Sequence, residues 1–351
     1  MKKRLLSASL IGALLLQAAC GGGGGGDNGN GGGSGGGGGG SGDGGGGGQP
    51  PISGTVSGRA GKGLLLNASV AFHAVNNGVV ATTPLATVRT NSTTGAFSST
   101  VTSPGAVVAT LTVDGSTQVL DELSGARIAA PTGLVRHAVF PSVRNLPPLA
   151  ITPLTEMAYT LAQSRTGGLS VANIDAANSA ISTAFLNGAP VLQTLPIDIA
   201  SYVSSTPGEQ AQAKLLTALS VAADQNIATG ADGAACTSSY PANVPCAVGG
   251  LSRLISVSAN GDTTFNSEAA YLSAAYTLIN SGAVTVAGGK TPAELGMNVT
   301  TVAENALVNN IQQQNPLPGY DASADPLQNT KDLVANIRTN ILGGQDSLDA
   351  L

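Results

Sequence analysis

Three cysteines offer the most reactive side chains in this chain of 351 residues, and the first of them ends a segment typical of protein export. Residues 2–4 are basic, residues 5–16 are mostly apolar, and Ala18 and Ala19 precede Cys20. This order of a basic start, an apolar stretch and small residues is that of a secretory signal peptide. The sequence therefore predicts that residues 1–19 are a signal peptide and that the mature chain begins at Cys20.

The residues before Cys20 resemble the lipobox of bacterial lipoproteins, a Leu-Ala-Gly/Ala-Cys pattern. Ala18, Ala19 and Cys20 match it, whereas Gln17 stands where an aliphatic residue is usual. The resemblance implies that the Cys20 thiol is acylated and anchors the protein to a membrane, since each buried methylene of an acyl chain contributes about 0.8 kcal/mol. Lipoproteins of this kind tend to stay at the inner membrane when aspartate follows the cysteine, so Gly21 implies the outer membrane.

Two other interpretations of the N-terminal segment stay open. An ordinary secretory signal would release the chain without a lipid, and an uncleaved segment would serve as a membrane anchor. The apolar stretch is shorter than the ~20 residues that span a bilayer. It is also interrupted by Ser7 and Ser9. Both features favour cleavage over an uncleaved anchor.

Cys236 and Cys246 form an even pair once Cys20 is assigned to the lipid. They lie in a loop rich in glycine, serine and proline, residues 230–249, and we expect a disulfide between them. An oxidising compartment permits this bond, and closing so short a loop stabilises the fold by about 3 kcal/mol in the chain-entropy model. The alternative is a redox or metal pair, but the spacing is wider than Cys-x-x-Cys and no histidine lies near.

Other residues that could ligate or catalyse lack partners at a diagnostic spacing. His73 and His137, the 2 histidines of the chain, fall in predicted strands. Glu156 lies in the first turn of a predicted helix, where interaction with the helix dipole explains it. Asp121 and Glu122 could bind calcium weakly if a loop folded back over them. Because the sequence has no hydrolase, zinc-protease or calcium-loop motif, we expect no enzyme activity, no catalytic residue, no metal site and no cofactor.

Composition argues against two classes of partner. The formal net charge is −5, and it becomes −8 without the three cations of residues 1–19, so we expect no nucleic-acid partner. The chain has no tryptophan and 3% aromatic residues, which argues against the stacking platforms that bind carbohydrate. A protein or peptide partner fits this surface better.

A glycine-rich segment follows Cys20. Between Cys20 and Gln49 lie 22 of the 49 glycines of the chain. Such a composition cannot form a core, so residues 20–49 are predicted to be a disordered tether, with a root-mean-square span of roughly 30 Å. A phosphate-binding loop is not indicated, because no strand precedes the segment and no Gly-Lys-Ser/Thr follows it.

Residues 50–146 have the alternation typical of strands. Ile52–Val56 and Ala68–Val75 alternate with period two, and the second run ends at an Asn-Asn-Gly turn. Further strands are predicted at 85–90, 96–101, 106–113 and 118–123, with turns at sites such as Pro104-Gly105. Turns at this short spacing predict a small antiparallel β-sandwich.

Several of these strands resemble one family of β-sandwiches. The opening Ile-Ser-Gly-Thr-Val-Ser-Gly, the Val70-Ala71-Phe72 strand, the Thr94-Gly95-Ala96-Phe97 turn and the strand 107–113 are similar to the carboxypeptidase regulatory-like, or transthyretin-like, repeat. The resemblance covers about 70 residues. It implies a noncatalytic module of the kind found on many bacterial surface proteins, with no catalytic residue to carry over.

After Pro147 the apolar residues repeat every three or four positions, as in helices. Helix starts are indicated by capping residues, most of them followed by proline: Thr152-Pro153, Ser170, Thr206-Pro207, Thr291-Pro292 and Asp325-Pro326. Apolar stripes follow these starts, for example Leu154, Ala158 and Leu161. The pattern predicts six to eight helices in an alanine-rich bundle over residues 147–351.

Together these features predict an α+β multidomain protein with a signal peptide (1–19), a lipidated tether (20–49), a β-sandwich (50–146) and a helical bundle (147–351). We expect an exported, membrane-anchored lipoprotein that acts as a protein-binding or adhesion module. The alternatives are a structural subunit of an envelope complex, or the N-terminal part of a longer protein whose active portion lies elsewhere. Whether the body faces the periplasm or the cell surface stays open.

Overall fold

The computed structural model describes residues 50–131, 133–257, 263–265 and 270–298. The predicted signal peptide (1–19), the lipidation site Cys20, the tether (20–49) and the helices predicted beyond Val299 and at Asp325 lie outside these residues. The described chain is a mixed α+β protein, as predicted, with strands in its first part and helices in its second.

Ten strands lie between residues 52 and 151 of the described chain. They are β1 (Ile52–Ala60), β2 (Leu64–Leu66), β3 (Ser69–Asn76), β4 (Val79–Arg89), β5 (Ala96–Ser103), β6 (Val107–Thr112), β7 (Gln118–Leu120), β8 (Arg127–Ala129), β9 (Val135–Phe140) and β10 (Leu149–Ile151). Two further short strands, β11 (Ile255–Val257) and β12 (Thr263–Phe265), pair with each other among the helices.

The sheets are mostly antiparallel, which confirms the predicted antiparallel pairing of the strands. One sheet has the order β4-β3-β6-β9, and another has the order β10-β1-β5, in which β10 runs parallel to β1. A third, smaller sheet consists of β2, β7 and β8. The strands β2, β8 and β10 have three residues each, too few to show an alternating pattern in the sequence.

The β3–β4 hairpin shows why these residues form strands. Along β3 the side chains of Val70 and Phe72 point inward and are fully buried, while those between them are half-buried. The two-residue connection Asn77-Gly78 has positive φ at both positions, 51° and 78°. Asn and Gly tolerate this backbone, whose twist matches that of the strands, so the predicted turn fixes the register of the hairpin.

One apolar cluster joins the two larger sheets. It contains Val56 and Phe97 from the three-stranded sheet and Phe72, Leu111 and Phe140 from the four-stranded sheet. The rings of Phe72 and Phe97 lie 6.2 Å apart between centroids, in a tilted arrangement. This spacing is favourable for aromatic pairs, so the two rings stabilise the contact between the sheets.

Five α-helices lie in the described residues: α1 (Pro153–Ser164), α2 (Val171–Leu186), α3 (Pro207–Asp224), α4 (Val244–Gly250) and α5 (Ala270–Ser281). Shorter 3₁₀ segments cover Ile199–Ser204, Leu251–Leu254 and Ala293–Leu295. The helix predicted to start at Thr291-Pro292 is therefore only a 3₁₀ turn within the described chain. It ends at Gly296, whose φ of 68° closes the turn.

Local capping explains the helix starts. The hydroxyl of Thr206 accepts a hydrogen bond from the Glu209 amide, and the Glu209 carboxylate accepts one from the Thr206 amide. Thr152 forms the same reciprocal arrangement with Thr155 at the start of α1. Each such cap satisfies two backbone amides that the helix itself leaves unpaired.

Helix α1 joins the helices to the strands. It packs against β9, where the Thr155 hydroxyl donates a hydrogen bond of 2.8 Å to the carbonyl of His137. Tyr159 and Ala162 of α1 lie in one apolar cluster with Val108 and Val139 of the sheet. Among the described helices, none is both long enough and apolar enough to cross a bilayer.

Candidate functional site

Two neighbouring cavities open beside β9 and share one wall. The larger, which we call the cleft, has a volume of about 710 Å³, and the smaller, which we call the chamber, has a volume of about 390 Å³. Arg136 of β9 lines both cavities, as do Pro245 and Val248 of α4. Both volumes fall in the range of roughly 300–1,000 Å³ that is usual for ligand sites.

The cleft is lined mainly by helices. Its residues come from β9, α1 and the turn after it, α2, and the segment around α4: Arg136, Pro153, Glu156, Met157, Thr160, Leu161, Ser164, Arg165, Thr166, Asn173, Ile181, Ala231, Pro245, Val248, Gly249 and Ser252. Three of them are charged, and the others are divided between hydroxyl or amide side chains and apolar ones. The cleft therefore offers both polar and apolar contacts to a ligand.

Two arginines are the cations of the cleft. Arg136 projects from β9, and its Nη1 donates a hydrogen bond of 2.9 Å to the carbonyl of its neighbour Val135. Arg165 is the C-cap of α1, and its Nε is buried with no hydrogen-bond partner in the described chain. Neither guanidinium forms an ion pair with a described carboxylate.

The pKa of Arg136 shows the effect of the site on its charge. Burial lowers this pKa from its ordinary value, because removing water disfavours the cation, and the nearby Glu156 carboxylate opposes the change. Arginine nonetheless stays protonated in proteins. The cleft thus holds two positive charges that form no ion pair with a described carboxylate, and that of Arg136 is partly offset by Glu156.

Glu156, the single acidic residue among the described residues that line the cleft, is hydrogen-bonded to His137. Its Oε2 accepts a hydrogen bond of 2.5 Å from the His137 amide and lies 2.9 Å from His137 Nδ1. The imidazole in turn stacks on Tyr159, with 4.3 Å between ring centroids. Burial raises the pKa of Tyr159, so this residue is neutral at physiological pH.

The sequence did not indicate the His137–Glu156 contact. Interaction with the helix dipole was sufficient to explain Glu156. In the sequence, no carboxylate stands at a diagnostic spacing from His137. The two residues are 19 positions apart and meet because α1 packs on β9. His73 lies elsewhere, with its Nδ1 2.9 Å from the carbonyl of Ala81 in the β3–β4 hairpin.

A set of buried and half-buried polar side chains borders the chamber. We call it the polar junction, and it consists of Lys62, Asp121, Glu122, Ser220 and Tyr240. Glu122 Oε2 lies 3.2 Å from Lys62 Nζ and accepts a hydrogen bond of 3.1 Å from the Ser220 hydroxyl. The Tyr240 hydroxyl donates to Asp121 Oδ1. The junction thereby links two strand-connecting loops to α3 and to the cysteine loop.

The turn at residues 121–125 anchors the same junction through its backbone. The carbonyls of Glu122 and Leu123 accept hydrogen bonds of 2.8 Å and 3.1 Å from the amides of Ala287 and Gly288. Gly125 has a φ of 64°, and a Cβ there would come within 2.9 Å of the Ala287 backbone. Glycine is therefore needed at this close approach of the two chain segments.

From the sequence alone, Asp121 and Glu122 could bind calcium weakly. In the structure both are buried, and the Lys62 ammonium lies against Glu122 where a cation would bind. Asp121 Oδ2 accepts hydrogen bonds from the amide and hydroxyl of Ser124. In the part of the chain that the structure describes, no group of three or more His, Cys, Asp or Glu residues is placed to hold a metal ion.

The structure places the sulfurs of Cys236 and Cys246 at disulfide distance, 2.10 Å. Cys246 belongs to α4, whose residues Pro245 and Val248 form the wall shared by the two cavities. The cysteine pair therefore lies within the framework of the candidate site. The sequence predicted the pair but gave no sign of the cavities beside it.

The chemistry that this arrangement supports is ligand binding. Ser220 and Lys62 form a hydrogen bond, a pairing that can activate a serine hydroxyl as a nucleophile. However, Ser220 is fully buried and lines neither the cleft nor the chamber. The cleft, by contrast, presents two guanidiniums, hydroxyl groups and apolar side chains. Searches of protein-family models, of curated proteins and of solved structures each found no match to this chain.

Proposed function

We propose that this protein is an exported lipoprotein of the bacterial envelope, held at the outer membrane by acyl chains on Cys20 and by the tether at residues 20–49. The support is the order of basic, apolar and small residues before Cys20, together with Gly21 after it. The cysteine pair at Cys236 and Cys246 is consistent with an oxidising compartment.

The body is proposed to combine a β-sandwich of the carboxypeptidase regulatory-like kind (residues 50–146) with an alanine-rich helical bundle (147–351). The sandwich is supported by the apolar cluster that joins the two larger sheets. The bundle is supported by the packing of α3 against α2, α4 and α5. The polar junction would then hold the two parts together.

The proposed activity of the body is noncatalytic binding of a protein partner, with the cleft as the binding site. The observation that carries this proposal is the presence of Arg136 and Arg165 on one open cavity, without an ion pair to a described carboxylate. A charge that is partly removed from water lowers the stability of the fold unless a partner compensates it. An anionic group of a ligand would supply that compensation.

The exposed edge strand β4 is a weaker candidate for the binding surface. Its side chains are largely exposed, including Val79 and Leu85. However, Pro84 removes one amide donor from the strand, and the pairing with β3 has register shifts at His73. Proline and bulges are features that protect sheet edges from adding another strand.

The anchor is tested by Cys20→Ser in the full-length protein expressed in a bacterial host. We expect the wild-type chain to sediment with the outer membrane and the variant to be soluble, because the variant lacks the thiol that carries the acyl chains. Mass spectrometry of the mature N-terminus measures the modification directly. An unmodified Cys20 thiol, or a wild-type chain found wholly in the medium, would contradict the proposal.

The binding site is tested by cross-linking in intact cells. A photoreactive amino acid is placed at Thr160, an exposed residue of the cleft, or at Thr87, an exposed residue of β4. We expect a discrete cross-linked protein from position 160 and none from position 87. A product from position 87 alone would move the site to the sheet edge, and no product at either position would contradict the binding function.

A further inference from the structure

The charge of the cleft differs in sign from that of the whole chain. The chain carries a formal net charge of −5, yet the charged residues lining the cleft are Arg136, Arg165 and Glu156. Glu156 contributes one negative charge, which acts on Arg136 and also accepts the His137 hydrogen bonds, so one carboxylate faces two guanidiniums. The cleft is thus a local excess of positive charge on an acidic protein.

The arginine side chains have the geometry for carboxylates. A guanidinium is planar and can donate two parallel hydrogen bonds to one carboxylate, which makes the contact both strong and directional. Arg165 lines the open volume, and its guanidinium donates no hydrogen bond within the described chain; its Nε is buried, so the terminal amino groups are the donors that a ligand would use. A ligand carboxylate would satisfy donors that the fold leaves unused.

The rest of the lining indicates that the ligand is also partly apolar. Met157, Leu161 and Ile181 contribute apolar side chains to the lining of the cleft, as does Val248 of α4. Asn173 is held in place, because its Nδ2 donates hydrogen bonds of 3.0 Å and 2.8 Å to the carbonyls of Thr166 and Gly168. A small inorganic anion would use none of this apolar surface.

We propose that the cleft binds an acidic peptide segment of a partner protein, in which carboxylates pair with Arg136 and Arg165 and neighbouring apolar side chains contact Met157, Leu161 and Val248. This inference rests on the proposed function as a binding module and adds the chemical class of the ligand. The volume of about 710 Å³ accommodates a few side chains, so the recognised segment is short.

The test is fluorescence anisotropy with the full mature protein and a labelled, terminally capped peptide of alternating glutamate and leucine. A second peptide has glutamine in place of every glutamate. We expect the first peptide to bind and the second to bind about tenfold more weakly or worse, because charge-assisted hydrogen bonds are lost. Equal binding of the two peptides would overturn the proposal.

Variants locate the contact. Arg136→Gln and Arg165→Gln are each expected to weaken binding of the glutamate peptide about tenfold or more. Arg165→Lys, which keeps the charge but not the planar donors, should give a smaller loss. Arg144→Gln is the matched control, since Arg144 is exposed and lines neither cavity. An equal loss in the control would overturn the assignment to the cleft.

Two further outcomes separate the possible failures. If millimolar inorganic phosphate displaces the peptide completely, the cleft is a general anion site and the peptide proposal is wrong. If the glutamate peptide does not bind while the cross-link from position 160 still forms, the ligand class is wrong and the proposed binding function stands. Loss of both signals would remove the ligand class and the binding function together.

Discussion

The polar junction and the cleft both contain cations near a carboxylate, but an ion pair between them forms only in the junction, as far as the described chain shows. In the junction, Lys62 lies against Glu122, and their side chains are only 11% and 6% exposed. In the cleft, Arg136 and Arg165 form no ion pair in the described chain and face an open volume. A buried charge needs a partner within the fold, whereas an open one can obtain its partner from a ligand. We therefore propose that the junction stabilises the fold and that the cleft binds a ligand.

Position in the chain supports the same distinction. The residues of the junction come from the β1–β2 connection, the β7–β8 turn, α3 and the cysteine loop, so each contact joins segments that are distant in sequence. Such contacts reduce the freedom of the strands and helices to move apart. Arg165, by contrast, lies at the C-terminal end of a helix, where a cation is favoured by the dipole without any further contact.

Lys62→Met is expected to have the largest effect. It removes the cation from Glu122, whose Oε1 already lacks a hydrogen-bond partner, and leaves a buried carboxylate uncompensated. Removing one member of a buried ion pair lowers the free energy of unfolding by about 3–5 kcal/mol. Urea denaturation followed by circular dichroism measures this change.

The exposed ion pair of Arg89 and Asp114 provides the control for Lys62. Its atoms are 2.7 Å apart, but the side chains are 51% and 44% exposed. Arg89→Met should therefore cost at most about 1 kcal/mol. If the two substitutions had equal effects, the junction would not be the stabilising region that we infer.

Removing the disulfide by Cys236→Ala together with Cys246→Ala is expected to have the next largest effect. The chain-entropy model for a loop of this length gives a loss of about 3 kcal/mol. Because Cys246 lies in α4, we also expect weaker binding in the cleft, whose wall α4 forms. The double alanine variant is compared with wild type by urea denaturation and peptide anisotropy. Unchanged affinity would show that α4 keeps its position without the bond.

Tyr240→Phe should have a moderate effect. The substitution removes the hydroxyl that donates to the buried carboxylate of Asp121, and leaving a buried acceptor without its donor costs about 1–3 kcal/mol. Tyr271→Phe provides a comparison, because the Tyr271 hydroxyl donates to the backbone carbonyl of Ala247 at 3.4 Å rather than to a carboxylate. A loss confined to Tyr240 in urea denaturation would assign the effect to the junction.

Tyr240 also predicts how stability depends on alkaline pH. Burial, followed by the hydrogen bond and the charge of Asp121, raises the pKa of Tyr240 above its ordinary value of 10.0. The folded state therefore keeps a proton that the unfolded state loses above pH 10, and stability falls as pH rises further, by up to about 1.4 kcal/mol per pH unit for this group. Tyr240→Phe should flatten the decline. Unfolding at pH 9 to 11 measures it, and an unchanged slope in the variant would contradict the assignment.

The features that the sequence predicted depend on residues close together in the chain. The Thr206 cap and the Asn77-Gly78 turn each depend on residues within four positions, so their geometry follows from spacing alone. The Thr291 cap was predicted in the same way. The helix predicted to follow it is only a short 3₁₀ segment in the described chain, since Gly296 ends the turn. Local signals thus locate the starts of elements better than their lengths.

The candidate site could not be predicted because its residues meet only through tertiary packing. Glu122 and Ser220 are 98 positions apart, and Tyr240 and Asp121 are 119 apart. Neither Arg136 nor Arg165 belongs to a sequence motif, so the sequence alone does not distinguish these two arginines from the other cations of the chain. Charged residues make up only 10% of the chain, so each arginine is worth examining for the group that compensates its charge. Which group does so can be determined only when the neighbouring elements are known.

Arg165→Gln is expected to have the smallest effect on stability, and this makes it the sharpest test of the comparison. The native Nε has no partner in the described chain, so no described contact is lost, and removing a partly buried cation relieves a desolvation penalty. The free energy of unfolding should change by no more than about 0.5 kcal/mol, as is usual for positions without a structural role. The same variant should lose most of its affinity for the glutamate peptide. Urea denaturation and anisotropy on one preparation measure both quantities, and a large loss of stability would place Arg165 with the junction as a structural residue.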